Sequence, residues 1–590
     1  MKFLRNLLAS ILGSIIAFGI LFVCFYLLLI ISAAMIGSSD GGVTVRGNSI
    51  LRISFTEPIS DYVGSTDSDP FGGLFEEGQG LDDILHALKV AKSDSRIEGI
   101  SIETSYLLAG IAQSQEIRRA LQDFKDTGKF VHAYSDFYSQ KDYYVASVAD
   151  EVYLNPQGVL DFKGLATEVL YYKDLQEKTG VKMEVVRHGK YKSAVEPFLA
   201  NEMSAENRSQ IKELIGSVWQ SMLEDIASDR ELTVDELNRI ADTLGGRTPN
   251  LAVASGLIDQ VGYFDEYEAH LRETMGQSED SKLTYIGLSD YVTAAKNRGR
   301  RSGKDKIAVI YAQGEIYYGE GDRQYIGQGM MVRALKKARD NDNTKAVVLR
   351  VNSPGGSSLT SDIIWREVAL TAEVKPVVVS FGNVAASGGY YIAVGADKIF
   401  AEPTTITGSI GVFGTIPNIS ELAGNIGVNA EQVGTNENSI DYSVFEPMTD
   451  RFREQILEGI EQTYDTFLER VADGRNMTKE EVNEIAQGRV WSGVEAQQLG
   501  LVDELGNLDD AIEAAAELAD LGDYGIRKYP RYRSDFEKLM DDLGGAKAKI
   551  GSDLIKEEIG EETYETLKQL KTMTERKGIQ ARMPFVLNIK

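Results

Sequence analysis

Ala346-Val347-Val348-Leu349-Arg350-Val351-Asn352-Ser353-Pro354-Gly355-Gly356-Ser357 passes from an apolar run into a glycine-rich turn. A short β-branched run such as Ala346–Val351 reads as a strand buried on both faces, and Pro-Gly-Gly ends it. The pattern repeats downstream, where the run 376–380 leads to Ala385-Ala386-Ser387-Gly388-Gly389-Tyr390-Tyr391-Ile392, read as a turn entering a helix. Residues 306–311 form a further strand-like run, and residues 330–339 and 361–372 have helical spacing. Apolar strands alternating with amphipathic helices predict an α/β fold with a mostly parallel sheet.

Self-comparison extends this reading to the whole chain. Ala149-Asp150-Glu151-Val152-Tyr153 matches Ala396-Asp397-Lys398-Ile399-Phe400 at an offset of 247 residues, and Tyr143-Tyr144 matches Tyr390-Tyr391 at the same offset. Val195-Glu196-Pro197 echoes Phe445-Glu446-Pro447, and Gly256-Leu257-Ile258-Asp259 echoes Gly500-Leu501-Val502-Asp503, with small gaps. A duplicated domain follows. Its boundary is expected in the basic, Gly-containing stretch 297–303, which lacks apolar periodicity. Helical sections at 204–244 and 450–487 follow the two sheet regions.

The 590-residue chain is too long for one core, and a net charge of −27 speaks against a nucleic-acid partner, which needs a dense Lys/Arg surface. Its single cysteine, Cys24, leaves no disulfide, thiolate metal site or cysteine nucleophile in the body. Residues 7–36 carry no charge and follow Lys2 and Arg5. That run exceeds the ~20 residues needed to cross a bilayer, so an uncleaved anchor is expected with the N-terminus inside and the body outside. The expected division is a membrane anchor over 1–45, an N-terminal α/β domain over 46–300, a C-terminal α/β domain over 301–540 and a charged tail over 541–590.

Ser387 at the end of a strand is placed as a nucleophile would be. The backbone N–H groups of Gly388 and Gly356 are candidates to hold the oxygen anion of a tetrahedral intermediate, and a helix starting at Ser387 would add favourable potential. The four histidines, His86, His132, His188 and His270, all lie in the first half without a Ser-His-Asp context. A lysine of lowered pKa is the natural substitute base, but the second half has none between Lys398 and Lys479. Lys192 follows the strand-like run 183–186 of the first half and sits among small and apolar residues. By the offset, Gln140 stands in the first half where Ser387 stands in the second, and Ala109 where Gly356 stands. Each half retains what the other lacks, which predicts one composite site.

Together, Asn352-Ser353-Pro354-Gly355-Gly356, Ala385-Ala386-Ser387-Gly388-Gly389-Tyr390, Thr407-Gly408-Ser409-Ile410-Gly411 and Tyr191-Lys192-Ser193-Ala194-Val195-Glu196-Pro197-Phe198 resemble the long form of the signal peptide peptidase A family. The likeness covers about residues 50–518. It implies tandem Clp-protease/crotonase-like domains behind an N-terminal transmembrane helix, assembled as a bowl-shaped homotetramer on the outer face of the bacterial cytoplasmic membrane. By the same resemblance Ser387 attacks, Lys192 takes its proton, Ser409 aims the amine, Gly356 and Gly388 hold the oxyanion, and spent signal peptides are the substrates. No metal or other cofactor is implied.

Two other readings share these motifs. A crotonase-like acyl-CoA hydratase or isomerase would use the same N–H pair on an enolate, although the outward-facing body argues against cytosolic thioesters. A membrane scaffold would keep the fold without catalysis. The chain's end, 578–585, polar and then apolar, reads as disordered, with a position near the groove or across a neighbouring subunit as the alternative.

Overall fold

The computed structural model describes residues 43–64, 80–299, 301–436, 438–440, 442–532 and 580–583, with scattered positions between 13 and 26. Most of the expected membrane-crossing run therefore lies outside the described residues, as does most of the expected tail over 541–590. Among the described residues no helix is long and apolar enough to cross a membrane.

In the first half six parallel strands lie in the order Gln260–Val261, Glu151–Leu160, Phe130–Tyr138, Ile97–Ile102, Ser49–Ile53 and Thr284–Gly287. In the second half the parallel series runs from Val377–Ala386 through Thr344–Ser353 and Lys306–Gln313 to Gly525–Tyr529. Beyond Val377–Ala386, the shorter Lys398–Ala401 and Ile406–Gly408 pair with it in succession. Val347, Leu349, Val377 and Val379 are fully buried, as continuous β-branched runs predict for a sheet covered on both faces, and each burial contributes about 1.5–3 kcal/mol.

The offset of 247 is visible in three dimensions. Strands starting at Ile97, Phe130 and Glu151 correspond to those starting at Thr344, Val377 and Lys398. Local locks repeat as well. The Tyr143 hydroxyl donates to the Leu257 carbonyl at 2.7 Å, and the Tyr390 hydroxyl to the Leu501 carbonyl at 2.8 Å. Arg230 pairs with Asp259 at 2.7 Å and Arg475 with Asp503 at 2.6 Å. Both halves then carry a 26-residue helix. Ala205–Arg230 starts at the Ser204 cap and Asp450–Arg475 at the Thr449 cap, and each ends on a left-handed residue, Glu231 and Asn476.

A third sheet joins the halves. Lys182–Arg187 pairs antiparallel with Phe413–Asn418, with Arg187 opposite Phe413 and Lys182 opposite Asn418. The sheet continues through Gln580–Arg582, Gly355–Ser357 and Glu315–Tyr317 to Tyr325–Gly327. The two halves and the chain's end meet in this sheet. The lysine-bearing segment of the first half is built into the sheet of the second, because its strand finds its partner there. Residues 580–582, read as disordered, form a strand, because the edges of Gly355–Ser357 and Phe413–Asn418 both offer backbone pairing.

Candidate active site

The serine strand Val377–Ala386 delivers Ser387 into a tight turn. Its N–H donates to the Gly408 carbonyl at 2.8 Å, and its carbonyl accepts from the Tyr391 N–H at 2.8 Å. These two bonds hold Ser387 at φ 55° and ψ −116°, a conformation that L-residues seldom adopt. Such strain at a strand end projects a side chain sharply from the sheet. The turn enters a helix as the sequence reading expected, and that helix spans Gly388–Tyr391. Two successive glycines favour no longer helix, so the individual N–H groups, rather than a macrodipole, provide the positive potential.

Lys192 enters from the loop after Lys182–Arg187. The Tyr191 N–H donates to the Gln487 carbonyl at 3.0 Å, and Gln210 donates to the Ser193 hydroxyl at 2.8 Å, fixing the loop on either side of the lysine. Gly488 makes room for it, since an added Cβ would lie 2.7 Å from the Lys192 Cβ. Gly411 lines the stem, where an added Cβ would lie 3.2 Å from the Lys192 Cδ.

Within one chain, Lys192 Nζ stands 3.0 Å from Ser387 Oγ, 3.0 Å from Ser409 Oγ and 3.1 Å from the Ser409 carbonyl oxygen. Lys192, Ser387 and Ser409 are all fully buried. Burial, and after it the charge of Arg582, holds the Lys192 amine well below its ordinary pKa of 10.5. A neutral amine donates two hydrogens and accepts one. Three partners suit that count: Nζ lies within hydrogen-bond distance of the Ser387 hydroxyl and of both Ser409 oxygens. The arrangement therefore sets a buried amine against one hydroxyl, with a second hydroxyl and a carbonyl on its other side.

Gly356 and Gly388 border the same space. Gly356 lies in the strand opposite Ala581, and a Cβ on Gly388 would approach the Ala581 carbonyl oxygen to 3.0 Å. All five residues singled out in the sequence thus converge. The histidines do not: His132 and His270 stack on one another with centroids 5.0 Å apart, and His188 packs on Tyr464.

The equivalent place in the first half is closed. Gln140 accepts from the N–H groups of Lys163 and Gly164 at 3.0 and 2.9 Å. The Asp142 carboxylate accepts from the N–H groups of Tyr106 and Leu107 at 2.9 and 2.7 Å, and the Lys141 amine donates to the carbonyl of Ala109, the counterpart of Gly356, at 2.9 Å.

Gly488, Gln210 and the strand 580–582 escaped the sequence reading. Gly488 follows Gln487 with no chemistry-bearing neighbour, and only the approach of Lys192 explains it. The pairing of Glu196 with Asn207 at 2.6 Å was the available hint that the loop after Lys192 docks on the helix Ala205–Arg230, through the Glu-Pro element already quoted.

The sequence profile of peptidase family S49 matches residues 123–278 and 369–522, one match in each half. The chain is 39% identical to "Protease 4" of Haemophilus influenzae over 448 residues, covering 74% of this chain and 73% of that one. It is 37% identical to "Protease 4" of Salmonella typhi, covering 86% of this chain and 84% of its relative. It is also 31% identical to "Serine protease SPPA, chloroplastic" of Arabidopsis thaliana, covering 92% and 78%. These matches displace the hydratase and scaffold readings, since they span both halves and lead to proteases. The chain belongs to peptidase family S49 and is a serine protease acting on peptide substrates.

Proposed function

We propose that Ser387 is the nucleophile, Lys192 the general base and acid, Ser409 the group that aims the amine, and Gly356 and Gly388 the oxyanion donors. The observation carrying this reading is the 3.0 Å contact between a fully buried Lys192 amine and the Ser387 hydroxyl. Neutral Lys192 takes the hydroxyl proton as Oγ adds to the substrate carbonyl carbon. The oxyanion is met by two backbone N–H groups, and the ammonium returns the proton to the departing amine as the C–N bond breaks. Water, deprotonated by the same lysine, then hydrolyses the acyl-serine. Every proton is accounted for by this chain's side chains and water.

The substrates in this reading are signal peptides left after secretion. An anchor over 1–45 places the enzyme in the bacterial cytoplasmic membrane with its body on the extracytoplasmic side, where spent signal peptides leave the bilayer. The body divides into units 46–300 and 301–540, followed by the tail 541–590, and the enzyme works as a homotetramer. Support comes from the uncharged run 7–36 and the resemblance to the signal peptide peptidase A family. Full-length protein in detergent, given an apolar signal-peptide sequence and an acidic charged peptide of equal length, tests this directly. Ser387→Ala and Lys192→Ala are expected to abolish hydrolysis of the apolar peptide without changing oligomer mass by light scattering. Preference for the charged peptide would remove the signal-peptide assignment, and undiminished activity in either variant would remove the catalytic one.

A further inference from the structure

Residues 580–583 lie in the cleft as an added strand. Gln580–Arg582 runs antiparallel to Gly355–Ser357, with Gly355 opposite Arg582, Gly356 opposite Ala581 and Ser357 opposite Gln580. On its other side it meets Phe413. The Met583 N–H donates to the Pro354 carbonyl at 2.6 Å. Antiparallel ladders alternate hydrogen-bonded with non-hydrogen-bonded pairs, so the pair Gly356 and Ala581 is again a bonded one, and the Gly356 N–H is aimed at the Ala581 carbonyl. A Cβ on Gly355 would lie 2.3 Å from that carbonyl oxygen and one on Gly388 3.0 Å from it. The Ala581 carbonyl therefore lies beside both glycines proposed as oxyanion donors, and the register makes its bond to Arg582 the one assigned to attack by Ser387.

This register turns the segment into a map of the cleft beyond the cleaved bond. The Arg582 guanidinium reaches Glu315 at 2.6 Å, both side chains being largely shielded, at 16% and 23% exposure. Met583 packs in an apolar pocket of Leu214, Ala386, Ile406 and Val490. Ala581 itself is 1% exposed, so a larger side chain there would press on protein rather than solvent.

We infer that Glu315 is a specificity-determining residue that selects a basic side chain immediately after the cleaved bond, in substrates with a small residue before that bond and an apolar one two positions after it. This rests on the assignment of Ser387 as nucleophile. A largely shielded carboxylate favours a guanidinium or ammonium there, leaves an uncharged residue without a charged partner and repels an acidic one. A basic residue at this place also puts positive charge near Lys192, as Arg582 does, which favours the neutral amine needed for attack.

Three internally quenched peptides centred on Gln-Ala-Arg-Met, Gln-Ala-Gln-Met and Gln-Ala-Glu-Met test the inference with the full-length enzyme. Segment 580–583 competes with all three alike, so ratios of kcat/KM report the site alone. The Arg peptide is expected to be cleaved roughly tenfold faster than the Gln peptide and faster still than the Glu peptide, with mass spectrometry locating the cut between Ala and Arg. Glu315→Gln should level the Arg and Gln peptides, and Glu315→Lys should reverse the order in favour of the Glu peptide. Equal rates for the three peptides with active wild-type enzyme and inactive Ser387→Ala, or a cut at another bond, would overturn the inference while leaving the catalytic assignment standing. Cleavage that persists in Ser387→Ala would instead remove the assignment and the inference with it.

Discussion

Arg350 donates to the Asp61 carboxylate at 2.9 Å across the two halves, from the same strand that ends in the Pro-Gly-Gly turn. The guanidinium also meets Glu116 of the first half, and it bonds the Ser380 hydroxyl and the Phe381 carbonyl at 2.9 and 3.1 Å. Arg350 is 1% exposed, so the two halves are clamped by charge where their strands converge on the site.

Removing that clamp from one side leaves buried carboxylates without a counter-charge. Arg350→Met is expected to destabilise the fold by about 3–5 kcal/mol, read as a lowered unfolding midpoint in denaturant. A loss below about 1 kcal/mol would show that the halves are held by packing alone.

Gly488 contacts the stem of Lys192 so closely that no side chain fits beside it, and its φ of 86° independently disfavours one. Gly488→Ala should move the lysine away from Ser387 and reduce kcat at least tenfold, since displacement of a catalytic group by an ångström is costly. A crystal structure of the variant with Lys192 unmoved and full activity would refute this.

Ser409 holds the amine by its hydroxyl and its carbonyl together. Ser409→Ala removes only the hydroxyl, so kcat should fall by roughly tenfold to a hundredfold while KM stays nearly constant. A change confined to KM would point to substrate contact instead.

Lys192 is also a cost to the fold. Its folded-state pKa is lowered from 10.5, so the unfolded chain binds the proton more readily than the folded one. Stability contributed by this group therefore rises with pH, from the lowered value up to about 10.5, and is smallest below that window. Lys192→Met, similar in length and apolar, should be inactive yet more stable at neutral pH, by roughly 2–4 °C in Tm for each kcal/mol gained. The difference should narrow as pH approaches that of an ordinary lysine. Equal stability at all pH values would indicate that the amine is solvated.

Much of this was legible in the sequence for identifiable reasons. The repeat at 247 residues located the central strands of both halves because burial on two faces enforces continuous apolar runs. Ser387 and Lys192 emerged as partners by subtraction, since Gln140 had replaced one and no lysine replaced the other. Other features depend on approach in space. The length of the helix after Ser387, Gly388–Tyr391, was not legible, because Gly388 and Gly389 serve the turn as well as the helix. Residues 580–582 have no strand signal of their own and become a strand only between edges supplied by Gly355–Ser357 and Phe413. Gly488 is indistinguishable from any turn glycine until Lys192 is laid against it.

The central claim is that a lysine kept neutral by burial activates Ser387. Its most direct test is kcat/KM of the full-length enzyme from about pH 5 to about pH 11, with Lys192→Ala as the blank. The account predicts a rising limb whose midpoint lies well below the 10.5 of an exposed lysine and which disappears in the variant. A midpoint at that ordinary value, or a rising limb that survives the loss of Lys192, would contradict it.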